Sequence, residues 1–421
     1  MKTKKIKVQV VYRNYIPLNS PYSSFWTHPP EGIEFIIPKP KKYLNMLFPI
    51  YQRFGNNFLV SRLVNVAQKI FFNEESNNNK KNNDIDYYFY VGMLPSKIPD
   101  RPFFIDIEHS YALLNFVRTS SSSDLHSLNL ILKNVFNILK HPMCKGIVPI
   151  SEAAAATLAS YFGEEEYKQI KDKIKVIYPA LPPYKEYYAN EIDYSIISND
   201  PKFFNIIFIG KDSYRKGLQE VLPAIDILSK KYSHLRLWVV TDVTALSTLT
   251  TKDYVQDYAN HPAIRFFPCK YSSKEIITKF FLPAQLFLMP THADTFGMVY
   301  LEALSSGIPV LLTKQFATPE IVSDGVNGLF LDHPPLFLDR IDHSNRINSL
   351  IPKERAGKDF ILPEADHQQL IADIVKKIES LINNPQLLQS LAQNAPKEFE
   401  GKGKFSTMTR NIKLQELFQL S

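Results

Sequence analysis

The chain has 421 residues, enough for two domains of roughly 200 residues each. Its content of 45% hydrophobic and 22% charged residues is typical of a globular protein and excludes a disordered or fibrous chain. The formal net charge of +7 is concentrated in residues 1–198, which carry 24 Lys+Arg against 18 Asp+Glu, whereas residues 199–421 carry 25 against 24.

The two cysteines and the apolar segments bear on location. Cys144 and Cys269 are too few for a disulfide framework and have no metal-ligand spacing, so we expect a reducing, cytoplasmic setting. VQVV near the start is shorter than the roughly 7 apolar residues of a signal peptide, and residues 280–290 fall short of the roughly 18 of a membrane span. The basic first half leaves open a peripheral contact with an anionic membrane surface, and a solvated surface is the plainer interpretation.

In chain order, the first half alternates short apolar segments with helical patterns. Segments typical of strands occur at 7–12, 33–38, 86–93, 102–107, 146–150 and 174–179. Apolar residues recur at helical spacing over 58–72 and 128–140. This alternation predicts an α/β domain with a parallel sheet covered by helices on both faces.

The same rhythm restarts after a polar stretch at 189–202. Strands are predicted at 204–210, 235–241, 264–268, 286–290, 308–312 and 328–331, with a helix over 217–231. We therefore predict two Rossmann-like domains, residues 1–198 and residues 199–405. A C-terminal helix at about 406–421 is expected to pack on the first domain. An Asn-rich loop at 73–86 and an irregular stretch at 332–359 interrupt the pattern.

A basic turn follows the first strand of the second domain. In FIGKDSYRKGLQEV, Gly210 ends the strand, and Lys211, Arg215 and Lys216 precede a helix. Free N–H groups at a helix start, together with Lys and Arg side chains, bind phosphate well. A solvated basic turn is the alternative interpretation of this segment alone.

A second polar loop follows a buried strand in THADTFGMVYLEALSSGIPVLL (291–312). Asp294 or Thr295 is placed to cap a helix starting near Phe296, and Gly297 permits close backbone approach to a ligand. Glu302 falls about two turns later, where it can accept hydrogen bonds from a diol such as a ribose. Without further context, Asp294 reads as a helix cap and Glu302 as a surface charge.

These segments together resemble the family-four retaining glycosyltransferases of the GT-B fold, which has two Rossmann-like domains facing across a cleft. The resemblance lies in an acidic residue and a Glu eight positions apart (294–302), a small-residue turn with Pro-Val, and the stretch TPEIVSDGVNGLFL (318–331). GKDSYRKG (210–217) is similar to the family's phosphate motif. The resemblance covers about residues 100–421 and is strongest over 204–331.

The resemblance implies roles for individual residues. Lys211 and Lys216 would neutralise the donor diphosphate with Arg215 as an auxiliary. Glu302 would bind the ribose hydroxyls of a nucleotide, and Asp294 would contact a sugar hydroxyl.

Two further contributions to the donor site are implied. The backbone of 295–297 would approach the sugar and phosphate, and His109, just past a strand of the first domain, would face the donor sugar. The sequence departs from the family in three places: no glycine follows the first strand, Asp294 replaces a Glu, and Ala317 and Thr318 replace a Gly pair.

The resulting expectation is a retaining glycosyltransferase that moves a sugar from a nucleoside diphosphate sugar to a hydroxyl of a glycan, glycolipid or other acceptor, in polysaccharide or glycolipid assembly. The first domain would bind the acceptor and the second the donor. No cofactor and no obligatory metal are expected, and Asp84-Ile-Asp86 is read as structural. The alternatives are an epimerase or phosphorylase of the same fold and a non-catalytic scaffold. No basic stripe with interleaved aromatics favours nucleic acid.

Overall fold

A computed structural model describes residues 5–12, 24–37, 84–110, 113, 125–211, 213, 215–241, 256–292, 294–332 and 364–419. The predicted helix at 58–72, most of the Asn-rich loop and nearly all of 332–359 lie outside these ranges. The chain forms two compact units, one of residues 1–179 with 410–421 and one of residues 180–409.

The first unit is built on a five-stranded parallel sheet of order β2-β1-β3-β4-β5. Its strands are β1 (Ile6–Tyr12), β2 (Ile33–Ile36), β3 (Tyr87–Val91), β4 (Phe103–Ile107) and β5 (Cys144–Pro149). All five residues of β4 are buried, as expected of an inner strand with both faces covered.

The second unit is built on a six-stranded parallel sheet of order β11-β10-β9-β6-β7-β8. Its strands are β6 (Phe204–Ile209), β7 (Leu235–Thr241), β8 (Ile264–Pro268), β9 (Leu286–Met289), β10 (Val310–Thr313) and β11 (Gly328–Leu331). β9 and β10 are wholly buried, which their nearly continuous apolar sequences explain.

Helices connect and flank the strands in both units. They are α1 (Ser24–Thr27), α2 (Leu125–Lys140), α3 (Glu152–Phe162), α4 (Glu164–Ile170), α5 (Tyr184–Tyr187), α6 (Leu218–Lys231), α7 (Ser273–Ile276), α8 (Met298–Ser305), α9 (Thr318–Ile321), α10 (Glu364–Asn383), α11 (Pro385–Asn394) and α12 (Thr407–Gln419). Among the helices described, none is long and apolar enough to cross a bilayer.

The last helix, α12, completes the core of the first unit. Leu414 and Phe418 are buried in one apolar cluster with Val8 and Val10 of β1. The Phe418 ring lies 4.8 Å from the ring of Phe104, measured between centroids. The first unit is therefore made from two separate parts of the chain.

The unit boundary lies earlier than the predicted position near residue 198. Residues 180–198 belong to the second unit because their backbone bonds to it. The Tyr184 N–H donates to Ser305 Oγ at 3.0 Å, and the Asp193 N–H donates to the Thr278 carbonyl at 3.0 Å.

The predicted strand at 174–179 is wrong in extent. Ile174 makes one isolated bridge to Ile147 of β5, and the N–H groups of Lys175 and Ile177 donate to β5 carbonyls. Pro179 has no N–H to continue the ladder, so the segment lies along β5 without becoming a strand.

Candidate functional site

Two loops meet where the strand order of the second sheet reverses. From β6 the sheet continues through β7 to β8, and from β9 it continues through β10 to β11 in the opposite direction. The loops after β6 and β9 leave the carboxyl edge of the sheet at this point, where open α/β sheets bind ligands. These are the two loops that the sequence singled out, 210–217 and 290–297.

Gly217 lets the two loops approach each other. Its φ of 81° is in the left-handed region, and a Cβ at this position would lie 2.2 Å from the Pro290 carbonyl oxygen. The His292 N–H donates to the Arg215 carbonyl at 2.9 Å, and Thr291 Oγ1 donates to the same carbonyl at 3.3 Å. Only glycine fits this junction, which holds the basic turn against the second loop.

An ion pair joins the side chains of the two loops. The Lys216 ammonium contacts Asp294 Oδ2, and the two side chains are only 11% and 13% exposed. The Tyr300 hydroxyl donates to the same Asp294 oxygen at 2.9 Å, and the Thr295 N–H donates to Oδ1 at 3.1 Å. Asp294 thus accepts three hydrogen bonds and fixes the position of a nearly buried positive charge.

Helix α8 begins later than predicted. Gly297, with a φ of 79°, is its N-cap, and no side chain caps it, so the predicted capping by Asp294 or Thr295 is wrong. A Cβ on Gly297 would lie 1.9 Å from the Tyr300 ring. The side chain of Phe296 is buried in the core, which leaves its backbone as the part available to a ligand.

Glu302 presents a carboxyl that no group among the described residues hydrogen-bonds. It is half-buried on α8, and within the described ranges it makes no side-chain hydrogen bond or ion pair. Burial raises the pKa of its carboxyl to about 7. A desolvated carboxyl with free acceptor capacity is suited to binding hydroxyl groups.

The remaining donor-side residues lie on the basic turn. Lys211 is exposed directly after Gly210, and Arg215 is half-buried beside Lys216. The Arg215 guanidinium lies near Tyr300, so its positive charge opposes the large rise in the pKa of the Tyr300 hydroxyl. The three predicted cationic residues therefore lie on one turn, and Lys216 is the one that pairs with Asp294.

His109 belongs to the first unit and follows the carboxyl end of β4. Burial lowers the pKa of its imidazole to about 4, so the ring is neutral near pH 7. Asp106 on β4 is buried, and desolvation followed by the nearby Glu108 charge raises its pKa to about 8. His109 is thus not one of the groups that meet in the second unit.

The Asp-x-Asp sequence is used inside the first unit. Lys7 forms an ion pair with Asp84, and the Lys7 N–H donates to Asp86 Oδ2 at 2.8 Å. In the part of the chain that the structure describes, no three or more His, Cys, Asp or Glu side chains are grouped to hold a metal ion.

Sequence reasoning missed several groups around the site. Tyr300 lies six residues after Asp294, and because Asp294 precedes the helix, no helical spacing indicates the hydrogen bond between them. Buried Glu220 bonds to His292 and His367, and the latter lies far along the chain, so no local pattern indicates the contact.

The chain matches known glycosyltransferases in sequence. Residues 192–356 match the family model described as glycosyl transferases group 1. The D-inositol 3-phosphate glycosyltransferase of Paenarthrobacter aurescens is 25% identical over 146 residues, which are 34% of this chain and 35% of the relative. The capsular polysaccharide biosynthesis glycosyltransferase CapM of Staphylococcus aureus is 24% identical over 199 residues, 47% of this chain and 42% of the relative. The match thus spans less than half the length of these two curated relatives.

The fold is similar to that of solved structures over the whole chain. The crystal structure of HepE from Anabaena in complex with UDP has a TM-score of 0.59, with 12% sequence identity, and the match covers 99% of this chain and 100% of that one. With the two parallel-sheet units, this likeness confirms the predicted GT-B fold class.

Proposed function

We propose that this chain, whose residues 192–356 match the family model of glycosyl transferases group 1, is a retaining glycosyltransferase that moves a sugar from a nucleoside diphosphate sugar to an acceptor hydroxyl. The donor would bind to the second unit. One observation carries the proposal: the nearly buried Lys216–Asp294 pair and the Glu302 carboxyl, which has no hydrogen-bond partner in the described part of the chain, lie on neighbouring segments at the point where the strand order reverses.

The chemistry of this arrangement suits departure of a diphosphate. Bond cleavage at the sugar carbon leaves negative charge on the diphosphate, which Lys216, Arg215 and Lys211 would neutralise. The start of α8 at Gly297 adds partial positive charge from its free N–H groups. Glu302 would accept hydrogen bonds from the two ribose hydroxyls, and retention would follow from attack on the face from which the diphosphate leaves.

The acceptor is proposed to be a hydroxyl of a glycan or glycolipid. The names of two relatives, a capsular polysaccharide biosynthesis glycosyltransferase and a D-inositol 3-phosphate glycosyltransferase, support this class. The excess of basic residues in 1–198 supports a peripheral contact of the first unit with an anionic surface.

The first test is thermal stability of the protein with UDP, GDP and ADP and their sugar derivatives. UDP leads the panel because HepE was solved with it. A ligand at about 100 times its dissociation constant adds roughly 2.7 kcal/mol of stability. We expect one nucleotide to raise the melting temperature of the wild type, and Lys216→Ala and Glu302→Ala each to abolish the shift.

The same panel separates the alternatives. A folded protein that responds to no nucleotide contradicts the donor assignment and favours the scaffold. Isomerisation of a bound nucleotide sugar without an acceptor indicates an epimerase. If transfer occurs, NMR of the product's anomeric proton shows whether the sugar keeps the anomeric configuration of the donor. An inverted configuration would contradict the retaining mechanism.

A further inference from the structure

A buried cluster of three side chains adjoins the candidate site, and we call it the Glu220 cluster. Glu220 lies on the first turn of α6 and is 1% exposed. Its Oε2 lies 3.1 Å from His292 Nε2, and its Oε1 lies 3.0 Å from His367 Nδ1. The cluster thereby joins three segments: the start of α6, the loop after β9 and helix α10.

The cluster is charged. Burial alone would raise the pKa of Glu220, but hydrogen bonds from His292 and His367 outweigh it and lower that pKa below its ordinary value. The hydrogen bond to Glu220 raises the pKa of His367 against the effect of burial, and the charges of Glu220 and Glu364 raise it further. The raised pKa of His367 and the lowered pKa of Glu220 both favour an ion pair between the two side chains.

The cluster reaches the candidate site through His292. The His292 side chain is held by Glu220, and its ring lies 2.9 Å from the Gln219 side-chain amide. Its backbone N–H donates to the Arg215 carbonyl at 2.9 Å, one residue before Lys216. A movement of His292 would therefore displace both Asp294 and the basic turn.

We propose that Glu220 and His367 are positioning residues that hold the loop 291–297 against the basic turn in the conformation that binds the donor diphosphate, so that donor binding weakens in alkaline solution. This inference rests on the proposed function. It gives helix α10, remote in sequence from both loops, a role in donor affinity.

The direction of the pH effect follows from the two partners. The raised pKa of His367 stabilises the arrangement in which the loop 291–297 contacts the basic turn. This contribution is fully present below the ordinary value of 6.5 and is lost as the pH rises through the raised value. The lowered Glu220 pKa contributes stability that is lost only as the pH falls below the ordinary value of 4.5. Donor affinity is therefore expected to decrease on the alkaline side.

The test is UDP affinity by titration calorimetry from about pH 6 to about pH 9, a range that brackets histidine titration. The wild type should lose about tenfold in affinity on the alkaline side, the order of effect expected when one charged hydrogen bond is lost. His367→Asn should bind UDP more weakly at neutral pH and show no alkaline decrease. In a transfer assay the same variant should raise KM for the donor and leave kcat nearly unchanged.

His261→Asn is the matched control. His261 also contacts a carboxylate of α6, with Nε2 3.4 Å from Asp226 Oδ1 and a side chain 14% exposed. Among the described residues, no hydrogen bond or ion pair joins it to the basic turn or to the loop 291–297. It should keep the wild-type profile. Glu220→Gln should behave like His367→Asn, provided that circular dichroism shows a folded protein. A substitution at His367 is less disruptive to folding, because its side chain is 22% exposed.

The outcomes separate this inference from the proposed function. If the wild type binds UDP and His367→Asn keeps both its affinity and its alkaline decrease, the positioning role is overturned and the donor assignment stands. If the wild type binds UDP at no pH, both are overturned for this nucleotide.

Discussion

Glu302 makes the pH dependence of donor binding a test of a single residue. The ionised carboxylate accepts hydrogen bonds from ribose hydroxyls more strongly than the protonated acid does, and burial raises the pKa of Glu302 to about 7. Nucleotide affinity should therefore rise up to about tenfold per pH unit on approaching pH 7 from below. Without ligand, the free energy of unfolding depends on pH in the opposite direction. The raised pKa of Glu302 contributes stability that is present below the ordinary value of 4.5 and is lost as the pH rises through about 7.

Glu302→Gln separates the two limbs of the profile. The variant should bind weakly and lose the acidic limb while keeping the alkaline one. Titration calorimetry of both proteins across this range is the measurement. An acidic limb that survives in Glu302→Gln would assign it to another group.

The Lys216–Asp294 pair should show strong energetic coupling. Removing either partner leaves the other nearly buried without its counter-charge, which costs about 3–5 kcal/mol. Lys216→Ala and Asp294→Ala together should cost less than the sum of the single changes, with a coupling of about 1–3 kcal/mol. Urea unfolding in a Trp26→Phe background measures this, because Trp238 then reports on the second unit alone. Additive single costs would contradict the pairing.

At the level of residues, the position of the basic turn after a strand end indicates a phosphate site from the sequence alone. Glu302 acquires a binding role only through the family resemblance, and both roles stay predictions. Asp294 was read as a helix cap, because the sequence does not reveal that Gly297 takes a left-handed conformation and starts the helix instead. The Glu220–His367 contact joins positions 147 residues apart, so only tertiary packing creates it.

At the level of elements, the junction between the two loops depends on Gly217. Gly217→Ala would place a Cβ 2.2 Å from the Pro290 carbonyl and force alanine into the left-handed region, which alone costs about 1–2 kcal/mol. We expect a less stable second unit and loss of nucleotide binding. Gly325→Ala is the control, since its φ of 74° is similar but no atom lies within 4 Å of the added Cβ. Equal effects of the two changes would show that strain rather than contact matters.

The strands of the second sheet were predictable because each is a short apolar run closed by a polar loop. Their order, and with it the reversal beside β6 and β9, was not predicted, since nothing in the sequence of a single strand identifies its neighbour in the sheet. The segment at 174–179 has the composition of a strand but makes only one isolated bridge at the edge of the first sheet. Composition alone therefore overestimates its backbone pairing with β5.

At the level of the whole molecule, α12 should control the stability of the first unit alone. Phe418→Ala removes a buried ring from the cluster around β1 and should cost about 3–5 kcal/mol. In a Trp238→Phe background, Trp26 reports this loss, while the Trp238 transition of the Trp26→Phe protein should not move. Ile412→Ala, on the same helix but 42% exposed, is the control. A shift in both tryptophan transitions would contradict the division into two units.

The discontinuous first unit has a consequence for how the protein is made. A ribosome synthesises residues 1–179, then the whole of the second unit, and only then the helix that fills the first unit's core. The nascent first unit must therefore expose the apolar side of β1 while the second unit is completed. The second unit, continuous along the chain, is the part able to fold first, and the early strands are the part that needs chaperone protection during translation.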